Sequence, residues 1–305
     1  MPFRGVRFAP GRDADTDSNR STAALDRAAR DGADVEPLAW DRAERERVLR
    51  KVRAYREIMP PHAFFAGRTA AVIRSLPIAH GEELEVAVYA PARAARRSGI
   101  RGIKVAPALA TVHEHLGCRL TSPASTWAML AHELSVRELV RIGDAIVSVP
   151  RDSKGIPHPH DCLATVDHLR NAAAAGPRRG APKLRAAIES IRAGSSSPLE
   201  TDYRLDAEAA GLPEPELDVD IFDSRGHRIG FTEIVYRAQR VLVEIEGDHH
   251  RTNRAQRNRD IEKYAAYVAE GWEVVRLTSL HIRGASPRAT SVVRDVLLRR
   301  GWQPS

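Results

Sequence analysis

The sequence predicts a two-domain protein of the mixed α/β class, with an α+β N-terminal part and a C-terminal mixed sheet covered by helices. The first observation is length, because 305 residues are enough for two domains with cores of their own. The second is the order of predicted elements after residue 195, which is helix, three strands, helix, strand and helix. That order is typical of one sheet with helices packed on it.

Composition excludes several classes of protein. Apolar residues make up 43% of the chain and charged residues 29%, which is typical of soluble globular proteins. No apolar run reaches the ~18 residues of a transmembrane helix, and the N-terminus lacks the apolar segment of a secretory signal. The two cysteines, Cys118 and Cys162, lie far apart without C-x-x-C spacing. We therefore expect a cytoplasmic protein with free thiols and no membrane partner.

Positive charge is unevenly distributed along the chain, whose formal net charge is +7. Residues 1–193 contain 31 basic and 22 acidic side chains, a net of +9. Residues 194–305 contain 16 basic and 18 acidic side chains, a net of −2. A basic excess indicates a polyanionic partner such as DNA. The same excess is explained equally well by an arginine-rich surface that only keeps the protein soluble.

Four segments are predicted. Residues 1–35 are rich in small polar and charged residues whose charges cancel, so they are expected to form a disordered tail. Residues 36–150 are expected to form a helical, winged-helix-like domain, and residues 151–194 a helical connector. Residues 195–305 form the domain with the mixed sheet. The glycine and serines of residues 194–197 are typical of a joint, and the change in net charge falls at the same place.

The N-terminal elements indicate a DNA-binding module. A basic amphipathic helix, a second helix, a strand, an arginine-rich turn and a return strand are predicted at residues 40–58, 63–76, 84–89, 91–102 and 103–106. Helices followed by a hairpin with a basic tip are typical of winged-helix modules that bind DNA. Three arginines of the turn are therefore candidate nucleic-acid contacts: Arg93, Arg96 and Arg97. The alternative is that they belong to an ordinary solvated surface.

Helix-capping residues organise the middle of the chain. A strand at residues 118–121 leads to Ser122 and Pro123, which are typical of the N-cap and first turn of a helix. Ser135 precedes a further helix. Three helical stretches are predicted here, at residues 136–147, around 162–175 and around 183–193.

Two histidine-rich segments, residues 113–115 and 158–162, contain residue types that bind metals. Neither has the paired spacing of a zinc site. We interpret these histidines as surface or capping residues.

The C-terminal domain begins with a helix whose N-cap is Ser197, with Pro198 in its first turn and Gly211 at its end. Two half-buried strands follow, separated by a turn at residues 224–226. A short buried strand, a helix, a last strand and a closing helix are predicted at residues 241–243, 254–270, 273–278 and 287–300.

Carboxylates cluster where the buried strand ends. Glu244, Glu246 and Asp248 follow this strand directly, and Glu233 lies on the preceding strand. Such carboxylates are costly unless they bind a cation. If residues 237–239 turn the chain into a hairpin, Glu233 and Glu244 lie close together and suit Mg²⁺ or Mn²⁺, which prefer oxygen ligands. The alternative is that these are ordinary acids at an exposed strand end.

A divalent ion held by Glu233 and Glu244 is suited to phosphodiester hydrolysis, because it polarises a phosphoryl oxygen and activates a bound water. Glu246 faces the same side of the strand as Glu244, so we expect it to help hold the ion or to orient or deprotonate the water. Asp248 and His250 are expected at the rim, with His250 as a candidate for proton transfer or phosphate contact. The following basic residues are candidate phosphate contacts: Arg251, Arg254 and Arg257.

An ordered series of motifs from Ser195 to about Leu280 resembles a known family. The motifs are S-x-S-P-x-E, G-L-P-x-P, D-x-x-G-x-x-I-G, V-E-x-E-G-D-x-H-R, R-x-x-D-I and G-W-x-V-V-R-L-T. Together they are similar to the uncharacterised endonuclease-domain family related to very-short-patch-repair endonucleases. The resemblance implies the restriction-endonuclease-like fold of the PD-(D/E)XK superfamily.

The resemblance also implies roles for individual residues. Glu233 takes the position of the motif's aspartate, and Glu244 takes the position of its (D/E). Glu200 matches the glutamate of the first helix, His250 the histidine after G-D-x, and Asp260 the aspartate of the downstream helix.

Two positions depart from the family pattern. Glu233 is one methylene longer than the usual aspartate, and Glu246 stands where the superfamily often has lysine. Some restriction enzymes of this fold resemble this chain in using E-x-E, so the departures bear on activity more than on fold. The N-terminal segments F-F-A-G-R-T-A-A-V-I-R-S-L-P-I and L-T-S-P-A-S-T-W resemble regions related to the abortive-infection antitoxin family.

Two functional hypotheses follow. The first is a Mg²⁺-dependent DNA endonuclease in repair, restriction or phage defence, with phosphate affinity in the basic N-terminal region. The second is a catalytically inactive nuclease fold that acts as a nucleic-acid-binding or antitoxin-like regulator, which the departure at Glu233 motivates. A purely structural or protein-binding role has no positive signal in the sequence.

Overall fold

The computed structural model describes residues 42–246 and 254–304, with the backbone alone for residue 42 and residues 254–260. The tail predicted at residues 1–35 lies outside these residues. The described chain divides into two compact units. The first unit consists of the chain up to Val147 together with Leu163–Ile191. The second unit consists of Ser148–Cys162 together with the chain from Arg192 onward.

The first unit is a mixed sheet with helices. Its helices are α1 (Arg42–Arg56), α2 (Gly67–Ile73), α3 (Pro123–Leu130), α4 (Val136–Val147), α5 (Val166–Ala174) and α6 (Ala181–Ser190). Its strands are β1 (Phe64–Phe65), β2 (Leu84–Tyr89), β3 (Arg96–Arg97), β4 (Ile100–Val105), β5 (Val112–His115) and β6 (Cys118–Thr121). Their order across the sheet is β3-β4-β2-β1-β6-β5.

The helix predicted over residues 63–76 is shorter than expected, because its first residues form a strand. Phe64 and Phe65 are fully buried and pair with Ala87 and Val86 of β2. The helix begins only at Gly67. A two-residue strand is too short to show the alternation by which a strand is recognised from sequence.

The pairing of β2 with β4 overturns the predicted hairpin and, with it, the winged-helix-like architecture. The two strands are parallel, with Leu84 opposite Ile100 and Tyr89 opposite Val105. Between them, β3 pairs antiparallel with β4, so the chain reverses direction twice before β4 begins. The basic turn expected at a hairpin tip is therefore the edge of the sheet.

The predicted cap of α3 is confirmed, and α4 is capped as well. At the start of α3, the Ser122 hydroxyl oxygen accepts the backbone N–H of Ser125 at 3.2 Å. At the start of α4, the backbone N–H of Ser135 donates to the Glu138 carboxylate at 2.8 Å, and Glu138 N–H donates to the Ser135 hydroxyl at 3.3 Å. These reciprocal bonds satisfy N–H groups that a helix end leaves without intrahelical partners.

The expected connector at residues 151–194 is divided between the two units. Helices α5 and α6 pack on α3 and α4 of the first unit, with Leu169 and Leu184 fully buried. The loop before α5 belongs to the second unit, where the Arg151 guanidinium contacts a carboxylate oxygen of Asp218 at 2.6 Å. The chain returns to the second unit at Arg192, close to the joint predicted from sequence.

The second unit confirms the predicted fold class and order of elements. Its helices are α7 (Pro198–Ala209), α8 (Arg254–Ala269), α9 (Ser279–Arg283) and α10 (Ala289–Arg299). Its strands are β7 (Glu216–Phe222), β8 (Arg228–Tyr236), β9 (Val241–Glu246) and β10 (Glu273–Thr278), in the order β10-β9-β8-β7. The β7–β8 and β8–β9 pairs are antiparallel, and β9–β10 is parallel. The short helix α9 was not predicted.

Helices pack on both faces of this sheet. Val241 and Val243 of β9 pack in one cluster with Tyr203 of α7 and residues of α10. Leu242, between them, packs in another cluster with Tyr267 of α8. Strand side chains alternate between faces, so Glu244 and Glu246 are expected on the same side of the sheet as Leu242, which is the side covered by α8.

In the described parts of the chain, no helix is both long enough and apolar enough to cross a membrane. Cys118 is buried and Cys162 is partly buried, and neither forms a disulfide, as their spacing predicted.

Candidate active site

The sheet register brings Glu233 and Glu244 together, as the sequence predicted. The last paired residues of β8 and β9 are Ile234 and Val243, so one further step aligns Glu233 with Glu244. The ladder stops there, and the backbone N–H of Ile245 donates instead to Glu233 Oε2 at 2.7 Å. A glutamate side chain thus takes a backbone donor at the point where the two strands separate.

Glu244 carries an ion pair that the sequence did not predict. The residue is 8% exposed, and the Lys263 ammonium on α8 lies 3.2 Å from each of its carboxylate oxygens. The ammonium also lies 5.1 Å from the ring centroid of Tyr264 and 5.7 Å from that of Tyr267. One feature of the sequence could have indicated that Lys263 faces the sheet. Lys263 precedes the buried Tyr267 by four residues and therefore lies on the same face of the helix.

Glu246 has an ion-pair partner of its own. It forms an ion pair with Arg276, and its neighbour in the parallel register of β10 is Thr278. The Arg276 guanidinium lies 5.1 Å from the ring centroid of Tyr264. Among the described side chains, no group of three or more His, Cys, Asp or Glu residues is arranged to hold a metal ion. Whether Glu246 helps to hold an ion or acts on the water therefore stays a prediction.

Glu200 supplies the third carboxylate of the site, from the first turn of α7. It is buried, and its carboxylate accepts the backbone N–H of Ser196 at 2.8 Å. The Ser197 hydroxyl caps the helix by accepting Glu200 N–H at 3.3 Å, as predicted. Burial raises the pKa of Glu200 to about 7, and the nearby Asp218 carboxylate adds to this effect against the hydrogen bonds from Ser196 and Ser197.

Glu233 lies within electrostatic range of both other carboxylates. Burial raises its pKa well above its ordinary value, and the charges of Glu200 and then Glu244 raise it further. The Ile245 hydrogen bond and the Lys263 charge act in the opposite direction. The effects that raise the pKa of Glu233 thus outweigh the opposing effects of the Ile245 hydrogen bond and the Lys263 charge.

Asp218 marks a distortion of β7 beside this cluster. Its neighbours Leu217 and Val219 pair with Ile234 and Thr232, so Asp218 is level with Glu233 in the register. Its φ is 52°, in the left-handed region that a non-glycine residue seldom adopts. Sequence analysis did not single out Asp218, because its role depends on how the strands pair.

Arg151 holds this distorted strand in place. Its guanidinium donates to the Asp218 carboxylate at 2.6 Å, to the Asp218 carbonyl at 2.9 Å and to the Asp220 carboxylate at 2.9 Å. It also stacks on Phe231 at 4.7 Å from the ring centroid. The loop before α5 therefore contributes to the surroundings of the cluster, although it is distant in sequence.

Several predicted site residues lie outside the described side chains. Asp248, His250 and Arg251 fall in the segment 247–253. The backbones of three others lie in α8, and their side chains are outside the description: Arg254, Arg257 and Asp260. Their expected roles stay predictions.

The remaining nucleic-acid candidates lie in the first unit. Arg96 and Arg97 form the edge strand β3, Arg93 lies just before it, and all three are exposed. The histidine-rich segments contain no metal cluster among the described side chains. His158 instead lies 3.5 Å from Asp152 in an ion-pair geometry, in keeping with the surface role predicted for it.

Comparison with protein-family models, with curated proteins and with solved structures gives no match.

Glu233, Glu244 and Glu200 present carboxylate oxygens, which are the donor type that hard divalent cations prefer. They are carboxylates in a poorly hydrated position, and one of them already has a cation, the Lys263 ammonium, at both oxygens. Glu233 uses Oε2 for Ile245, which leaves Oε1 for another partner. Oxygen donors of this kind are the ones that Mg²⁺ and Mn²⁺ prefer, so a divalent ion at Glu233 and Glu244 stays a prediction.

Proposed function

We propose that this protein is a Mg²⁺- or Mn²⁺-dependent endonuclease that hydrolyses phosphodiester bonds in DNA. One observation carries the proposal: Glu200, Glu233 and Glu244 crowd together at the end of a buried strand, and the repulsion among them raises the pKa of Glu233 beyond the effect of burial. A protein seldom keeps such an arrangement unless a cation relieves it. Perturbed carboxyls of this kind are concentrated at functional sites.

In this proposal Glu233 and Glu244 hold the ion, and Glu200 supports Glu233 from α7. The ion supplies Lewis-acid activation of a phosphoryl oxygen and a more acidic bound water. Glu246, half-buried at the end of β9, orients or deprotonates the attacking water from the edge of the site. Arg276, its ion-pair partner, holds the Glu246 carboxylate in position.

The first unit supplies affinity for the DNA backbone in this proposal. Its exposed arginines Arg93, Arg96 and Arg97 lie on and beside one sheet edge, and the sequence before residue 194 has a net charge of +9. The catalytic unit has a net negative charge and would repel the DNA phosphates. A basic first unit in the same chain would therefore strengthen DNA binding. Restriction, repair or phage defence in the cytoplasm is the setting that we propose.

Plasmid cleavage tests the proposal. Supercoiled DNA should become open-circular or linear with Mg²⁺ or Mn²⁺, and chelation should stop the reaction. Glu244→Ala should abolish cleavage, whereas the matched control Glu208→Ala, an exposed acid on α7, should keep it. Equal rates for wild type and Glu244→Ala would show that a contaminant or another site cuts the DNA. Cleavage of RNA with no action on DNA would overturn the substrate.

A second candidate function is a nuclease fold without activity that binds nucleic acid as a regulator. One structural observation favours it: Glu233 Oε2 accepts a backbone N–H, and both Glu244 oxygens accept the Lys263 ammonium. Glu233 and Glu244, the two proposed metal ligands, therefore already have partners within the protein. DNA binding without any divalent-ion binding would favour this alternative over the nuclease.

A further inference from the structure

The Lys263–Glu244 pair has the geometry of a cation site that is already filled. The ammonium is equidistant, at 3.2 Å, from Glu244 Oε1 and Oε2. The Glu244 side chain is 11% exposed and the Lys263 side chain 23% exposed, so water screens the pair only partly. An ammonium placed in this way lies between the two oxygens, where a bidentate metal ion would bind.

We propose that Lys263 is an internal competitor for the divalent ion, which must leave Glu244 before the ion can bind there. This inference rests on the proposed metal-dependent function. An ammonium and a divalent ion within a few ångströms of each other repel strongly in a partly desolvated site. They cannot share the same carboxylate edge, so ion binding and the Lys263–Glu244 contact exclude each other.

Two aromatic rings lie beside the Lys263 ammonium at its position on Glu244. The rings of Tyr264 and Tyr267 lie within cation–π range of it, at 5.1 and 5.7 Å. Gly230 on β8 makes room for the lysine stem at this position, because an added Cβ there would lie only 3.0 Å from Lys263 Cδ. The Lys263 side chain is a flexible four-carbon stem with 23% of its surface exposed, so its ammonium can turn from the carboxylate to water without unfolding α8.

The competition has a functional consequence. Wild-type protein should bind the ion more weakly than its carboxylates alone would allow, because each binding event must break the Lys263–Glu244 ion pair. The site then stays closed to the ion at low concentration and opens as the concentration rises. Lys263 is thus a positioning residue that tunes ion affinity, rather than a group that touches the substrate.

Calorimetric titration of the full chain with Mn²⁺ tests this competition. Lys263→Met removes the charge but keeps the length of the side chain, and it should bind Mn²⁺ at least about tenfold more tightly than wild type. Lys263→Arg retains a cation and should bind no more tightly than wild type. Lys154→Met serves as the matched control, because Lys154 is exposed in the same unit, and it should leave affinity unchanged.

The outcomes separate this inference from the proposed function. If wild type binds Mn²⁺ and cleaves DNA but Lys263→Met binds no more tightly, the competition is wrong and the nuclease stands. If neither protein binds Mn²⁺, both proposals fail. If only Lys263→Met binds, the competition is supported and wild type is held in an inactive form.

A second measurement avoids dependence on how well Lys263→Met folds. Acylation of lysines in the wild-type chain, followed by peptide mass spectrometry, reports the accessibility of the Lys263 amine. Mn²⁺ should increase labelling of Lys263 severalfold and leave Lys154 unchanged. Glu244→Gln should show high Lys263 labelling with or without the ion. Labelling of Lys263 that falls or stays constant on adding Mn²⁺ would overturn the proposal.

Discussion

Glu233 Oε2 accepts the backbone N–H of Ile245 at 2.7 Å, so one of the two proposed metal ligands also joins β8 to β9. The bond forms where the regular ladder ends, after the Ile234–Val243 pair. Substitution at Glu233 therefore changes the fold as well as the chemistry, and the two effects can be separated by the choice of replacement.

Glu233→Ala should be less stable than Glu233→Gln. Alanine leaves the Ile245 N–H without its partner, which costs about 1–3 kcal/mol when the group is buried. Glutamine keeps an oxygen acceptor and removes the negative charge that Glu200 and Glu244 oppose. Urea unfolding of both variants at neutral pH without metal measures the difference. Equal stability of the two variants would show that the hydrogen bond contributes little.

Glu200 should make the metal-free protein less stable as pH rises. Burial raises its pKa to about 7, from an ordinary value of 4.5. A carboxyl with a raised pKa holds its proton more tightly in the folded state than in the unfolded state. Its stabilising contribution is therefore complete below the unfolded value and is lost as pH rises through the folded value, a loss of about 3 kcal/mol.

Urea unfolding at several values between about pH 4.5 and 8 measures this dependence. Glu200→Gln should flatten the curve, because the amide does not titrate, whereas exposed Glu208→Gln should leave it unchanged. Glu233 adds a slope of the same sign, so some dependence should remain in Glu200→Gln. Identical curves for wild type and Glu200→Gln would contradict the role assigned to Glu200.

The arginines on and beside β3 should carry much of the affinity for DNA. Replacing Arg93, Arg96 and Arg97 together by alanine should weaken binding and reduce the slope of log affinity against log salt by roughly 2–3, since each phosphate contact contributes about 0.9. Fluorescence anisotropy at several salt concentrations measures both quantities. A control triple variant uses exposed arginines elsewhere in the first unit: Arg119, Arg170 and Arg185. Equal losses in the two triple variants would mean that no particular surface binds the backbone.

The sequence was most informative where hydrophobic patterns are long. The strands and helices of the second unit follow clear periodicity, and Ser197 with Pro198 identifies the start of α7, so the order of elements could be predicted. In the first unit, β1 and β3 contain two residues each. Strands so short leave no pattern, and the parallel pairing of β2 with β4 depends on β3.

The candidate site was predictable in part for the same reason. Glu233 and Glu244 could be paired from sequence, because a hairpin between adjacent strands aligns them. Lys263 could not be assigned, since its contact with Glu244 depends on how α8 crosses the sheet. Arg276 reaches Glu246 only through the parallel pairing of β10 with β9, which connects elements separated by a whole helix.

Calorimetric titration of wild-type protein and Glu244→Ala with Mg²⁺ and Mn²⁺ tests most directly whether these carboxylates form a metal site. We expect one divalent ion to bind per chain and its binding to stabilise the fold, by about 2.7 kcal/mol at a hundredfold excess over Kd. Glu244→Ala should lose this binding and keep its affinity for DNA. Absence of divalent-ion binding to the wild-type protein at millimolar concentration would contradict the nuclease proposal.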